Sequence, residues 1–284
     1  MPRGEILKSE IDLTLFVACY NEEPNIIGTL ETVQAALKEF KYTWEIIIID
    51  DASQDNSVAV VQDYLRQHLD LPIRLYVNPV NKGLGQNFIE GAYLGRGEYY
   101  RLICGDNVEP KDALIEIFKH IGEADVVIVY QDCRGRTFGR RMLSRFFTFI
   151  VNFISGYRIK YYNGMAIHRR YNVMRWHTNY HGFGFQADMI VRLLDEGFHY
   201  TEVNVVTHER QQGVSSALTL RNFFSVMHTF IDLFVRRVAK SRFFNKRATR
   251  AKALAPQIGP VPFGPDANHQ PVAEPVSSPS RVSS

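Results

Sequence analysis

Cysteine is scarce. The chain has three, Cys19, Cys104 and Cys133, and no pair stands at C-x-x-C spacing, which argues against both a disulfide framework and a thiolate metal cage and points to a reducing, cytoplasmic compartment. No uninterrupted apolar run reaches the roughly 18 residues of a membrane-crossing helix. The first residues, "MPRGEILKSEIDL", hold scattered charges and no apolar h-region, so a secretory signal is not expected. Several ligand-binding signatures are also missing. In "NKGLGQNF" the third glycine of a dinucleotide fingerprint would fall at Phe88, and no G-x-x-x-x-G-K-[ST] occurs. "DASQDNS" spaces Asp51, Ser53 and Asp55 as a calcium loop would, but Asn56 takes the place of the required glycine and Gln62 that of the closing glutamate. His181, His208 and His228 lack H-x-x-x-H or H-E-x-x-H spacing, which leaves no zinc signature.

What is present begins with a composition, 45% hydrophobic and 22% charged, typical of soluble globular chains. The net charge of +3 is small but unevenly spread. Arg134, Arg136, Arg140, Arg141 and Arg145 crowd one segment; Arg236, Arg237, Lys240, Arg242, Lys246, Arg247 and Arg250 crowd another. Beyond Ala251 the chain turns Pro-, Ser- and Ala-rich with few aliphatic anchors, so residues 239–284 read as a basic and then disordered tail.

Between these limits, hydrophobic runs and helical stripes alternate. "LTLFVACY" (13–20), "WEIIIID" (44–50), "IRLYV" (73–77) and "YYRLIC" (99–104) have strand length, and the β-branched second run suits a strand covered on both faces. Ile26, Ile27, Leu30, Val33, Leu37 and Phe40 recur at helical steps, and Asp55 or Ser57 is placed to cap a second helix carrying Val58, Val61, Leu65 and Leu69. A third helix covers 84–95. This βαβαβαβ order predicts a doubly wound, mostly parallel α/β sheet that binds ligands beyond the carboxyl ends of its strands. Further on, helices are expected over 112–121, 139–156, 184–197 and about 218–238, strands over 124–130 and 200–210, and a short strand and turn over 161–170.

Carboxylates collect at the predicted strand ends: Glu22, the pair Asp50 and Asp51, and Asp106 in "CGDN". Each taken singly is explained by capping or turn formation. Together they repel unless they meet a cation or hydrogen-bond donors, which points to a donor-rich ligand or a metal.

In order and spacing, "FVACYNEEPNI", "IIIIDDASQDNS", "NKGLGQNFIEGAYLGRGEY", "GDNVEP", "GFGFQADMIVRLLDEGFHYTEVNV" and "RQQGVSS" resemble family 2 inverting glycosyltransferases of the GT-A type. The group most similar is that of dolichyl-phosphate mannose and polyprenyl-phosphate sugar synthases, and the resemblance spans about residues 12–235. It implies a Rossmann-like GT-A domain over 1–238, with a nucleotide-binding half at about 12–110, an acceptor half at about 111–238 and amphipathic helices toward its C-terminal end. It also implies a nucleotide-sugar site made by Tyr20, Asn21, Glu22, Asp50, Asp51 and Ser53, with Lys82 and Gly105. Carboxylates there can accept from a base imino group and from ribose hydroxyls.

The family's Asp-x-Asp becomes "CGD" here, so Cys104 replaces the first aspartate and Asp106 keeps the second, the expected ligand of Mg²⁺ or Mn²⁺. Asp188 falls at the family's acidic residue near the acceptor and is the expected base toward a hydroxyl. Its other reading is a favourable charge in the first turn of its helix. Arg210, with Gly213 and Ser215, matches the phosphate-clamping "R-x-x-G-x-S-K", whose final lysine is Ser216 here.

"RRMLSRFFTFIVNFISG" and "FVRRVAKSRFFNKR" are basic and aromatic, as helices at membrane interfaces are, although packing on the sheet explains the first equally well. The expected protein is therefore a transferase peripheral on the inner face of a membrane. Its expected partners are a UDP- or GDP-sugar and a lipid or polyprenyl-phosphate acceptor, with no nucleic acid; a homo-oligomer is left open. Two other readings stand beside it: a nucleotide-sugar-binding regulatory protein without turnover, and a sugar-1-phosphate nucleotidyltransferase.

Overall fold

The computed structural model describes residues 9–131, 138–175, 184–207 and 220–240. The chain divides into units Met1–Val238 and Ala239–Ser284; apart from the end of the last helix, the second unit, and with it the predicted tail, lies outside the described residues.

Within the first unit the expected alternation is observed. Strand β1 (Ile11–Cys19) leads to helix α1 (Ile26–Leu37), β2 (Trp44–Asp50) to α2 (Ser57–Gln67), β3 (Ile73–Val77) to α3 (Leu84–Leu94), and β4 (Gly97–Cys104) to α4 (Lys111–Lys119). There follow β5 (Val126–Gln131), α5 (Phe138–Ser155), β6 (Ile167–Arg169), α6 (Arg170–Met174), α7 (Phe185–Asp195), β7 (Tyr200–Val205) and α8 (Leu220–Lys240).

The seven strands among the described residues form one sheet in the order β3-β2-β1-β4-β6-β5-β7. Every neighbouring pair is parallel except those of β6, which runs antiparallel between β4 and β5. The doubly wound reading therefore holds for the first four strands, and the short β6 makes the sheet mostly rather than wholly parallel.

Side-chain alternation along the strands divides the core. Leu13, Leu15, Val17, Ile46 and Ile48 face one layer with α1 and α4; Phe16, Ile47 and Ile49 face the other with α3 and α7. Covering both faces with helices is what lets β2 be apolar at every central position.

The "YYNGMAIHRR" segment was expected as a short strand and turn over 161–170; bends at 162–164 lead into the strand β6, and the helix α6 follows from Arg170. Arg170 sets it there, donating from Nε to the Gly97 carbonyl at 2.7 Å and from a terminal nitrogen to that of Ala92 at 3.1 Å. Such remote carbonyls leave no trace in local periodicity.

Glu45, at the amino end of β2, is fully buried. It accepts from Thr14 Oγ1 at 2.7 Å, from the Arg96 N–H and guanidinium, and from Arg74 at 2.9 Å. Among the described residues, no helix is long and apolar enough to cross a membrane.

Candidate functional site

The carboxyl ends of β1, β2 and β4 meet. Cys19 is in register with Asp50 and Ala18 with Cys104; the Asp51 N–H donates to the Cys19 carbonyl and the Gly105 N–H to that of Ala18, both at 2.9 Å. The loops that leave these strands are tied to one another by polar side chains.

Asn21, at φ 55°, donates its N–H to Ser53 Oγ at 2.9 Å, and its Oδ1 accepts from the Gln54 N–H at 2.7 Å. A left-handed backbone is tolerated by Asn better than by most residues, so this turn explains its place after β1. The Glu22 N–H donates to Ser57 Oγ, and the Glu22 carboxylate accepts from Asn25 at 3.0 Å. Tyr20, by contrast, stays 45% exposed at the rim, open to a planar ligand.

The paired aspartates do separate work. Asp50 accepts from the N–H and Oγ of Ser53, closing its own loop. Asp51 reaches the next loop, where it accepts from Asn78 Nδ2 at 3.0 Å and from the N–H groups of Lys82 and Gly83 at 2.8 and 2.9 Å. Asn78 bridges onward to Asn87 of α3. Both aspartates are buried, and the donors to their carboxylates in these bonds are all neutral. Burial, with Asp50 beside it, pushes the Cys19 thiol up to about 12. The Lys82 ammonium turns to Glu90, with contacts at 2.8 and 3.0 Å.

The "CGDNVEP" turn rests on two anchors. A Cβ at Gly105 would lie 2.7 Å from the Ala18 carbonyl oxygen, and Thr29 donates to the Gly105 carbonyl at 2.9 Å, so the close approach admits only glycine. On the far side of the turn Glu109 forms a two-pronged pair with Arg101, at 3.0 and 2.6 Å, while Arg101 Nε donates to the Met165 carbonyl. Arg101 is completely buried. This pair was missed by sequence reasoning, yet a signal exists: an arginine interrupts the otherwise apolar "YYRLIC", and a buried guanidinium needs a carboxylate.

Asp106 stands between these anchors, partly exposed. It does not cap the following helix: the N-cap of α4 is Pro110, with no side-chain cap bond. The Cys104 thiol is held well above its ordinary range, first by burial and then by the charges of Asp106 and Glu109. A thiol so held is a poor ligand for a hard cation.

Among the described residues, no group of three or more His, Cys, Asp or Glu side chains could hold a metal ion. One carboxylate nevertheless suits Mg²⁺ or Mn²⁺ when substrate phosphates and water complete the shell, and Asp106 fits that role.

Asp188 sits in the first turn of α7 and is 1% exposed. Arg192, one turn on, donates to it from Nε at 2.7 Å, and Arg236 of α8 pairs with its other oxygen. Thus Tyr20, Asn21, Glu22, Asp50, Asp51, Ser53, Lys82, Gly105 and Asp106 share one edge of the sheet, and Asp188 belongs to the α7–α8 contact. Arg210, Gly213, Ser215 and Ser216, together with Cys133, His181 and His208, lie outside the described residues.

Comparison with known proteins accords with this geometry. Residues 14–183 match the family model "Glycosyl transferase family 2". A dolichyl-phosphate beta-glucosyltransferase of Trichomonas vaginalis is 33% identical over 118 residues, 40% of this chain and 34% of the relative. An undecaprenyl-phosphate 4-deoxy-4-formamido-L-arabinose transferase of Serratia proteamaculans is 24% identical over 234 residues, covering 81% of this chain and 69% of the relative. The chain thus spans about a third of the length of the first relative and about two thirds of the second. Among solved structures, glucosyl-3-phosphoglycerate synthase of Mycobacterium tuberculosis, in complex with Mn²⁺ and UDP-glucose, superimposes with TM-score 0.59 at 14% identity, over 80% of this chain and 79% of that one. The sheet order, the carboxylates gathered at its edge and the family match over more than half of the chain lead to one conclusion: the chain belongs to glycosyl transferase family 2 and has the GT-A fold.

Proposed function

We propose that the protein transfers a sugar, with inversion, from a nucleotide-sugar donor to a polyprenyl-phosphate acceptor at the cytoplasmic face of a membrane. The observation that carries this reading is the set of loops tied together at the ends of β1, β2 and β4, which presents Tyr20, the Asp50–Ser53 turn and Asp106, which does not cap α4, on one edge.

Donor binding falls to the first two loops. Tyr20 supplies a ring face, and the Asn21, Asp50 and Ser53 turn a row of acceptors for base and ribose. Asp51 holds the Lys82–Gly83 backbone in place for this site. Lys82 itself can exchange Glu90 for a donor phosphate, since both partners are about one-third exposed.

Asp106 and the donor's diphosphate would hold Mg²⁺ or Mn²⁺, which when bound offsets the charge growing on the leaving group. Arg210 would add a guanidinium to that charge. A phosphate acceptor is already anionic and attacks the anomeric carbon without a base, in agreement with the lipid-phosphate acceptors in the relatives' names. A hydroxyl acceptor would instead draw on Asp188. The exposed apolar residues of α5 and α8 support work at a lipid surface.

A nucleotide-sugar-binding protein without turnover is the second reading, favoured by Cys104 at a ligand position with its thiol held protonated. The deciding experiment is nucleoside diphosphate release from UDP- and GDP-sugars with undecaprenyl phosphate in detergent, with manganese or EDTA, for wild type and Asp106→Ala. Metal-dependent release that the variant loses is the expected result. Donor binding without release from any donor would overturn the transferase in favour of the second reading. Pyrophosphate release from a nucleoside triphosphate and a sugar 1-phosphate would identify a nucleotidyltransferase.

A further inference from the structure

Helix α8 has two faces with different partners. Thr229, Leu233 and Arg236, at helical spacing, look inward along the start of α7. Thr229 is buried against Gly184, where a Cβ would lie 2.0 Å from its hydroxyl oxygen, and Arg236 pairs with Asp188 one turn further along α7. Glycine at 184 is what lets the two helices approach so closely.

The outward face carries Met227, Ile231, Phe234, Val235 and Val238, each at least 39% exposed. Helix α5 continues this face. Its Phe147 packs on Phe230 of α8 with ring centroids 5.4 Å apart, while Phe138, Met142, Leu143, Phe146, Phe149 and Phe153 are at least 50% exposed. Arg141, Arg145 and Arg237 are exposed among these side chains. So broad an apolar surface mixed with guanidinium groups suits a bilayer with anionic headgroups, which offers a partner to both.

We propose that an anionic phospholipid surface binds the α5–α8 face and that α8 transmits this binding through Arg236 to the position of Asp188, so that the bound protein is the more active form. Arg236 is a positioning residue: it touches Asp188, which the transferase reading places near the acceptor, and it sits on the helix that meets the lipid. Loading the outward side of α8 restrains the helix, and its inward stripe then holds the first turn of α7 in one arrangement. The effect on transfer is expected in kcat: a phosphate acceptor does not need Asp188 as a base, and toward it Asp188 and the α7 turn that carries it bear on how the acceptor is oriented at the reacting centre. The inference rests on the membrane-surface reading of function, and its test separates the two.

Full-length wild type, Phe234→Ser, Arg236→Gln and Arg236→Lys are compared with and without vesicles of phosphatidylglycerol. Vesicle binding, hydrogen exchange in residues 185–190 and transfer to a short-chain, water-soluble polyprenyl phosphate are measured on each. Vesicles are expected to slow exchange there and to raise wild-type kcat about fivefold or more at little-changed KM, the lower end of measured couplings between sites. Phe234→Ser should bind vesicles less and keep its vesicle-free rate. Arg236→Gln should bind vesicles as wild type does yet lose both the slowed exchange and the activation, and Arg236→Lys should recover part of each. Arg236→Gln responding fully to vesicles overturns the proposal, as does wild type that binds them with no change in exchange, or that fails to bind them. Slowed exchange dependent on Arg236 in a protein that transfers no sugar would uphold the coupling and sink the transferase reading instead.

Discussion

Strand β2 carries acidic side chains at both ends, and they are satisfied in opposite ways. At the amino end Glu45 is surrounded by Thr14, Arg74 and Arg96, so its charge is answered by two guanidinium groups. At the carboxyl end Asp50 and Asp51 are answered by hydroxyl, amide and backbone N–H donors, which satisfy lone pairs but leave the charge in place. The first arrangement neutralises and locks. The second positions loops and keeps a field that a cation or a donor-rich ligand can use. An acidic residue at a strand end thus becomes structural or functional according to the charge of its partners.

The contrast can be broken by mutation, and the expected losses of folding stability fall in order. Glu109→Ala removes the partner of the completely buried Arg101 and should cost about 4 kcal/mol in urea unfolding, the usual scale for stranding a buried charge. Glu45→Ala should cost about 3 kcal/mol, less because Arg74 and Arg96 still reach water. Asp51→Asn keeps the shape but weakens acceptance from the Lys82 and Gly83 N–H groups. It should cost about 2 kcal/mol and weaken UDP- or GDP-sugar binding about tenfold by titration calorimetry. Asp106→Ala removes a partly exposed carboxylate and should cost the least, about 1 kcal/mol, while turnover falls about 100-fold or more. Equal stability losses for Asp106→Ala and Glu45→Ala would erase the distinction between the two ends.

Acid gives a further test. For Glu45, burial alone would raise the carboxyl, but the bonds from Thr14 and Arg96 and the charge of Arg74 together outweigh it and hold the group below its ordinary 4.5. A carboxyl lowered by folding stabilises above its unfolded value and loses that contribution as pH falls through its folded value. The stability difference between wild type and Glu45→Gln should therefore be full at pH 7 and shrink progressively below about pH 4.5.

The strands and helices through Cys104 were legible because each is announced locally, by apolar runs of strand length and by stripes at helical steps. The carboxylates of the edge were legible for the same reason, as they follow the runs directly. Their partners were not. Asp51 is expected to contact the nucleotide, and its carboxylate also holds the Lys82–Gly83 turn, a partnership that no local pattern announces. Asp106 looked like either a cap or a ligand, and the uncapped start of α4 disposes of the first. Glu109 escaped notice because the arginine inside "YYRLIC" calls for a carboxylate without saying which one the fold brings to it.

What the sequence determined by itself is the family, the alternation of strands and helices, and the edge at which acidic residues gather, since these depend on side-chain type and spacing along one segment. Only the tertiary structure decided that β6 enters antiparallel between β4 and β5, that Arg101 takes Glu109, and that Arg236 of the last helix takes Asp188. Each of those is a choice among partners far away along the chain or hidden in its interior. Such a choice is made by burial, because a charge or backbone group removed from water must be answered by whatever the fold has brought within reach.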